Sequence, residues 1–276
     1  MTIKDEILKK AGGMNLREII DGGRRCSVTQ RISMIKQPKG GYINPKDFTQ
    51  IVLDGGGIDD LHPEENVSPV LVGIAVDYLT RFLTGTTAEN AFFISKMGAD
   101  IVCESSLFEK LLTHVKGLDD ASIVASIKLA GFDSAFRAGI MAYRPVEEIE
   151  PDTDTIENIR VMVNRAILFL KQYGPKVLDG LTFEGGYTSY VATGDGDFLT
   201  NDTLWDFKVS KLKLKSKHTL QLLMYWRMGL HSIHPEYNEV RYLGVYNPRM
   251  NSVYRIDVNA IPRNVILEVE KDVIGY

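Results

Sequence analysis

The sequence predicts an α/β fold: a mixed central sheet with flanking helices, preceded by a mainly helical N-terminal region. Three observations carry that prediction. Apolar residues recur every three or four positions through residues 86–143, at Leu107, Leu111, Leu112 and Val115 and again at Ile123, Val124, Ile127 and Leu129, which is helical spacing. After residue 174 the pattern changes, and the runs 183–191, 193–199 and 204–209 alternate as strands do. Between these parts lies an acidic, proline-bracketed linker, R-P-V-E-E-I-E-P-D-T-D, which divides the chain into residues 1–150 and a core of residues 151–276.

Taken in order, residues 1–53 mix short helical patterns with basic and glycine punctuation, and residues 54–69 are a loop by composition. A helix is expected over about 69–84, with Ser68 as N-cap, Pro69 in the first turn and Gly85 at the stop. A second strong helix covers 156–173 and ends at Gly174-Pro175. The turn Thr200-Asn201-Asp202 joins the last two strands, a helix spans about 217–230, and the tail is a hairpin broken at Asn247-Pro248. Tyr242, Tyr246 and Tyr254 are expected to pack in that sheet.

Bulk properties narrow the function classes. With 44% hydrophobic and 25% charged residues the chain has the composition of a soluble globular protein. A net charge of −4 gives no global basic field, which argues against a coat-like nucleic-acid binder but not against an enzyme with one local basic track. Cys26 and Cys103 are far apart and near no zinc-like partner, so an iron–sulfur cluster is not expected and the compartment is read as reducing and cytoplasmic. No apolar run approaches the roughly 20 residues of a membrane span.

The chemistry concentrates in G-D-G-D-F-L-T-N-D-T-L-W-D-F-K-V-S and the H-T-L-Q-L-L-M-Y that follows it. In a strand, Leu204, Asp206 and Lys208 share one face while Trp205, Phe207 and Val209 share the other. The Trp-Phe-Val face is a core signal that fixes the register and sends Asp206 and Lys208 to the opposite side. Asp195 and Asp197 share a face of the preceding strand, and the short turn lets Asp197 approach Asp206. Two converging carboxylates with one lysine repel unless a divalent cation lies between them, and oxygen donors suit Mg2+ or Mn2+. Lys208 can position a water or stabilise charge on a phosphate. Gln221 and Tyr225 lie one helical turn apart on one face. The row Lys211, Lys213, Lys215, Lys217, if extended, is a one-sided track for a polyanionic backbone.

The order Gly194-x-x-Asp197, Asp206-x-Lys208 and Gln221-x-x-x-Tyr225 resembles the PD-(D/E)xK nuclease superfamily, most of all its RecB-like branch, over roughly residues 156–250. The resemblance implies a restriction-endonuclease-like core and metal ligation by Asp197, Asp206 and the main-chain carbonyl of Phe207. It also implies catalytic service by Lys208 and cleavage of DNA to leave a 5′-phosphate. Glycine spacing favours Asp197 over Asp195 as first ligand. The family's early Gly-x-x-x-His helix has a weak counterpart in Gly73 and Asp77, with a carboxylate where histidine is expected; Asp77 is either a ligand or the partner of Arg81. Glu184 resembles an acidic residue often found in the strand before the motif. The cysteines of iron–sulfur relatives are missing.

Bland readings apply elsewhere. Asp202 is a solvated turn residue, His231 and His234 are surface histidines, and Arg24, Arg25 and Arg31 belong to a surface loop. The expectation is therefore a magnesium- or manganese-dependent deoxyribonuclease, an exonuclease in its nearest likeness. Its rivals are an inactive DNA-binding or assembly protein that keeps the fold and a restriction-type endonuclease. A homo-oligomer is compatible with the sequence.

Overall fold

A computed structural model describes residues 26–54 and 60–276. Its centre is a six-stranded sheet: β2 (Thr49–Val52), β3 (Lys176–Leu181), β5 (Gly196–Thr200), β6 (Thr203–Phe207), β7 (Tyr242–Asn247) and β8 (Ser252–Asp257). The strand order is β2-β8-β7-β6-β5-β3, and every neighbouring pair is antiparallel except β6 and β7. A parallel pair needs a crossover rather than a tight turn. Helix α9 (Ser216–Leu230) lies in that connection. A separate two-residue parallel pairing joins β1 (Cys26–Ser27) to β4 (Val191–Thr193).

The sheet is covered on both faces. On one, α9 contributes Leu220, Leu223 and Met224 to a core with Leu199, Leu204, Leu243 and Val245. On the other lies α8 (Thr153–Tyr173), whose Phe169 stacks on Tyr246 at 3.9 Å and meets Trp205 edge-on at 4.9 Å. Strand β6 thus alternates between two cores, with Leu204 facing α9 and Trp205 facing α8. Gly244 makes room for the indole, since a Cβ there would meet the Trp205 ring at 2.4 Å. Asp152 starts α8 by accepting the Thr155 N–H at 2.8 Å.

The helical part packs on the same α8. Helices α2 (Pro69–Leu83) and α6 (Asp120–Gly131) share a core with it through Val72, Val76, Leu79, Ile123, Ile127, Ile159 and Met162. Between them run α3 (Ala88–Ala91), α4 (Phe93–Ile101) and α5 (Ser105–Leu112), and α7 (Asp133–Ala138) follows. The expected N-cap of α2 is present, with Ser68 Oγ accepting the Val70 N–H at 3.3 Å. Gly85 stops the helix at φ +109, a backbone setting that favours glycine. The only helices in the N-terminal 68 residues, among the described ones, are α1 (Val28–Met34) and a single 3₁₀ turn. No helix of the described residues is long and apolar enough to cross a membrane.

Two strand expectations need correction. Residues 183–190 form no strand, because Gly185 at φ +90 turns the chain and the Gly186 N–H bonds back to the Phe183 carbonyl at 2.8 Å; Val191 already belongs to β4. The strand precedes this turn, at β3, and Phe183 is buried from it. The lysine stretch is not extended either. Leu214 turns into the α9 core and the helix begins at Ser216, which interrupts the alternation of the row.

Candidate active site

The β5–β6 hairpin pairs Phe198 with Trp205 and Leu199 with Leu204. One step further along the same register, Asp197 stands opposite Asp206. The Trp205 Nε1–H donates to Thr200 Oγ1 at 3.0 Å, which anchors the indole at the turn end of the hairpin and sets which residues face α9. Asp197 Oδ2 accepts the Phe207 N–H at 2.5 Å, so this carboxylate itself ties the open end of the hairpin together.

Asp206 is 2% exposed. Its Oδ1 pairs with Lys208 Nζ at 2.9 Å, while its Oδ2 is buried with no hydrogen-bond partner. A buried carboxylate oxygen without a partner carries a desolvation cost of several kcal/mol, and such orphans mark strain, chemistry or a missing ion. Burial raises the Asp206 carboxyl above its ordinary range, against the pull of Lys208. Asp197 is pushed up to about 7, by burial first and then by the charges of Asp206 and Asp77. Burial pulls Lys208 down, but Asp206 and Asp197 outweigh it and leave the ammonium favoured. The hairpin end thus sets the carboxyls of Asp77, Asp197 and Asp206 against Lys208 and Arg81, with one carboxylate oxygen unused.

Arg81 is the site residue that sequence reasoning named only as a neighbour of Asp77. Its Nε donates to Asp77 Oδ1 at 3.1 Å, and its Nη2 lies 3.8 Å from Asp197 Oδ1. Asp77, then Asp197 and Asp179, hold the guanidinium firmly charged. Helix α2 therefore brings Asp77 to the hairpin acids through an arginine that bridges them. The i,i+4 spacing of Asp77 and Arg81 signalled their pairing; nothing in the spacing pointed Arg81 across to β5.

On α9, Gln221 Nε2 donates to the Tyr225 hydroxyl at 2.8 Å, and that hydroxyl donates to the Asp195 carbonyl at 2.7 Å. Tyr225, 3% exposed, thus holds the main chain beside Asp197 rather than reaching for a phosphate itself. The Asp195 side chain is exposed. Within the lysine row, Lys211 Nζ donates to the Pro63 carbonyl at 3.0 Å, and Lys213, Lys215 and Lys217 are exposed.

Other expectations fall out differently. Asp202 is not merely solvated: Arg255 Nη2 meets both its oxygens at 2.8 Å and stacks over Tyr242. Glu184 lies in the turn after β3 and pairs with His234 at 3.1 Å, away from the hairpin acids in its bonding. His231 stacks on Tyr276 with 4.0 Å between ring centroids. Arg31 is spent on the Val273 and Asp272 carbonyls, both at 2.8 Å, while Arg24 and Arg25 lie outside the described residues. Tyr246 and Tyr254 are buried in the sheet as expected.

The site offers two facing carboxylates and main-chain oxygens as cation donors. No group of three or more His, Cys, Asp or Glu side chains able to hold a metal ion is present among the described residues. No family model matches the chain, and no curated protein and no solved structure matches it significantly.

Proposed function

We propose that this chain is a divalent-metal-dependent deoxyribonuclease of the RecB-like PD-(D/E)xK kind, with Asp197, Asp206 and Lys208 as its centre. The observation that carries the reading is the buried, unpartnered Asp206 Oδ2 beside Asp197, with Lys208 Nζ at 2.9 Å from the other oxygen. An oxygen donor left bare beside a second carboxyl fits Mg2+ or Mn2+. Asp197, Asp206 and the Phe207 carbonyl would hold the ion, with Asp77 linked to them through Arg81. When bound, such an ion polarises a phosphodiester and lowers the pKa of a water.

The chain's own groups supply the rest. Lys208, held as an ammonium by its ion pair, places positive charge where a phosphate accumulates negative charge. Tyr225 and Gln221 fix the main chain on which Asp197 sits. Arg81 holds the second carboxylate in place. The mixed sheet between α8 and α9 supports the expected restriction-endonuclease-like core, and the exposed lysines Lys213, Lys215 and Lys217 support a polyanionic substrate.

The test is incubation of the purified protein with linear and closed circular DNA, single- and double-stranded, in Mg2+ or Mn2+. Degradation is expected for the native chain and not for Asp206→Ala or Lys208→Ala. Hydrolysis that persists in either variant contradicts the assignment. Cutting of closed circles would turn the reading to a restriction-type endonuclease, and binding without cleavage to an inactive DNA-binding protein.

A further inference from the structure

The functional face of α9 does not end at Gln221. His218 stands three residues before Gln221 and seven before Tyr225, so all three side chains lie along one face of the helix. At the far end of that face, Tyr225 is tied to the main chain at Asp195. At the near end, His218 Nδ1 accepts the main-chain N–H of Lys215 at 3.3 Å. A ring nitrogen that accepts carries no proton, so the proton of the neutral ring is on Nε2. No described residue hydrogen-bonds that Nε2–H.

The surroundings of the ring are all of one sign. Burial, followed by the charges of Lys208, Lys217 and Lys215, pushes the His218 pKa down to about 4, and no carboxylate contributes. The imidazole is therefore neutral near pH 7, a donor that adds no further charge. Lys215 and Lys217 are exposed, and neither forms an ion pair with a carboxylate among the described residues. Lys208 is already paired with Asp206, but Lys215 and Lys217 flank an unused N–H without a carboxylate, an arrangement that repels itself unless an anion joins it. Lys208 makes this patch continuous with the hairpin acids, because it is also the partner of Asp206.

We propose that His218, Lys215 and Lys217 form a phosphate-binding subsite next to the hairpin acids, in which the His218 Nε2–H donates to a non-bridging oxygen of a backbone phosphate. The subsite deepens the nuclease reading and rests on it for the identity of the phosphate, that of a nucleic-acid strand running past Asp206. The two ring nitrogens then have separate roles: Nδ1 braces the first turn of α9, and Nε2 would donate to the phosphate.

Side-chain amides can tell these roles apart. His218→Gln keeps a donor near the place of Nε2, whereas His218→Asn keeps an acceptor near Nδ1 and removes the outer donor. The probe is a short fluorescein-labelled oligothymidylate, bound to the full chain in EDTA and followed by anisotropy, then hydrolysed in Mn2+. Binding by His218→Gln should stay within about twofold of native, and His218→Asn should weaken it about tenfold, the size of one hydrogen bond to a charged oxygen. The double variant Lys215→Gln, Lys217→Gln should flatten the log–log salt dependence by about 0.7 per lysine.

Equal binding by the native chain and His218→Asn, or equal weakening by the Gln and Asn variants, overturns the subsite and leaves the nuclease reading standing. A native chain that binds with the expected variant pattern but hydrolyses nothing overturns the nuclease reading and supports the subsite. Absence of oligonucleotide binding overturns both.

Discussion

Two buried aspartates, one in each half of the molecule, have opposite fates. Asp133 at the start of α7 is 1% exposed, and its oxygens accept from Tyr78 and Ser95 at 2.7 Å and from Arg137 at 3.2 Å. Asp206 is as deeply buried, yet one of its oxygens has no hydrogen-bond partner among the described residues. Burial raises both carboxyls. Asp133 is surrounded by three donors that bind α2, α4 and α7 together, which is what a carboxylate with a structural task needs. The hairpin instead faces Asp206 with a second acid and satisfies only one of its oxygens, through Lys208. A satisfied carboxylate holds a fold; an unsatisfied one beside another acid is the feature on which the metal proposal rests.

The largest effect expected from this comparison is on turnover. Asp206→Asn should reduce metal-dependent DNA hydrolysis about a thousandfold, since several kcal/mol of transition-state stabilisation are lost at about 1.4 kcal/mol per tenfold. Its thermal midpoint without metal should fall by less than that of Asp133→Asn, because the amide oxygen still accepts from Lys208 while a carboxyl raised by burial is removed. A drop as large as that of Asp133→Asn would make Asp206 as structural as Asp133.

The converse experiment is Asp133→Ala. It strands the hydroxyls of Tyr78 and Ser95 and should lower unfolding free energy by about 3 kcal/mol in a denaturant titration. An unchanged denaturation midpoint would remove the contrast between the two sites.

Smaller still is Tyr225→Phe. The lost bonds to Gln221 and to the Asp195 carbonyl should cost about 1 kcal/mol of stability and slow hydrolysis several-fold, with little change in KM. Loss of activity as complete as in Asp206→Asn would mean that the hydroxyl touches substrate rather than holding the main chain.

The mildest is a pH effect in the metal-free protein. His218 is lowered to about 4 in the folded chain from an ordinary 6.5. Its contribution to stability is therefore complete above about 6.5 and lost as pH falls through about 4. Denaturation midpoints measured from pH 7 to pH 4 should fall less steeply for His218→Gln than for the native chain; identical slopes would show that the ring is not held neutral.

How much of this was legible in the sequence depends on what fixed each residue. Trp205 and Phe207 demanded an apolar face, so the side of the strand carrying Asp206 and Lys208 followed from period alone. The helix at 69–83 had the cap and stop that local chemistry prescribes, and the stop at Gly174 held for the second helix, whose start at Thr153 under the Asp152 cap lies three residues before the expected 156. Phe183 was misplaced because an aromatic in a turn can be buried as fully as one in a strand, and only the φ of Gly185 tells them apart. The lysine row alternated on paper, but Leu214 had a core to enter and α9 had already begun two residues later. Arg81, Asp202 with Arg255, and the Tyr225 bond to Asp195 were invisible because each joins residues far apart in sequence, where spacing carries no information.

The central claim is that the bare oxygen of Asp206 awaits a divalent cation. Calorimetric titration of Mn2+ into the metal-free native chain and into Asp206→Asn tests it most directly. The account predicts saturable binding by the native chain that is abolished in the variant, with a matching rise in thermal midpoint of the native chain alone, about 2.7 kcal/mol at a hundredfold excess over Kd. Equal binding by both proteins, or none by the native chain, would contradict it.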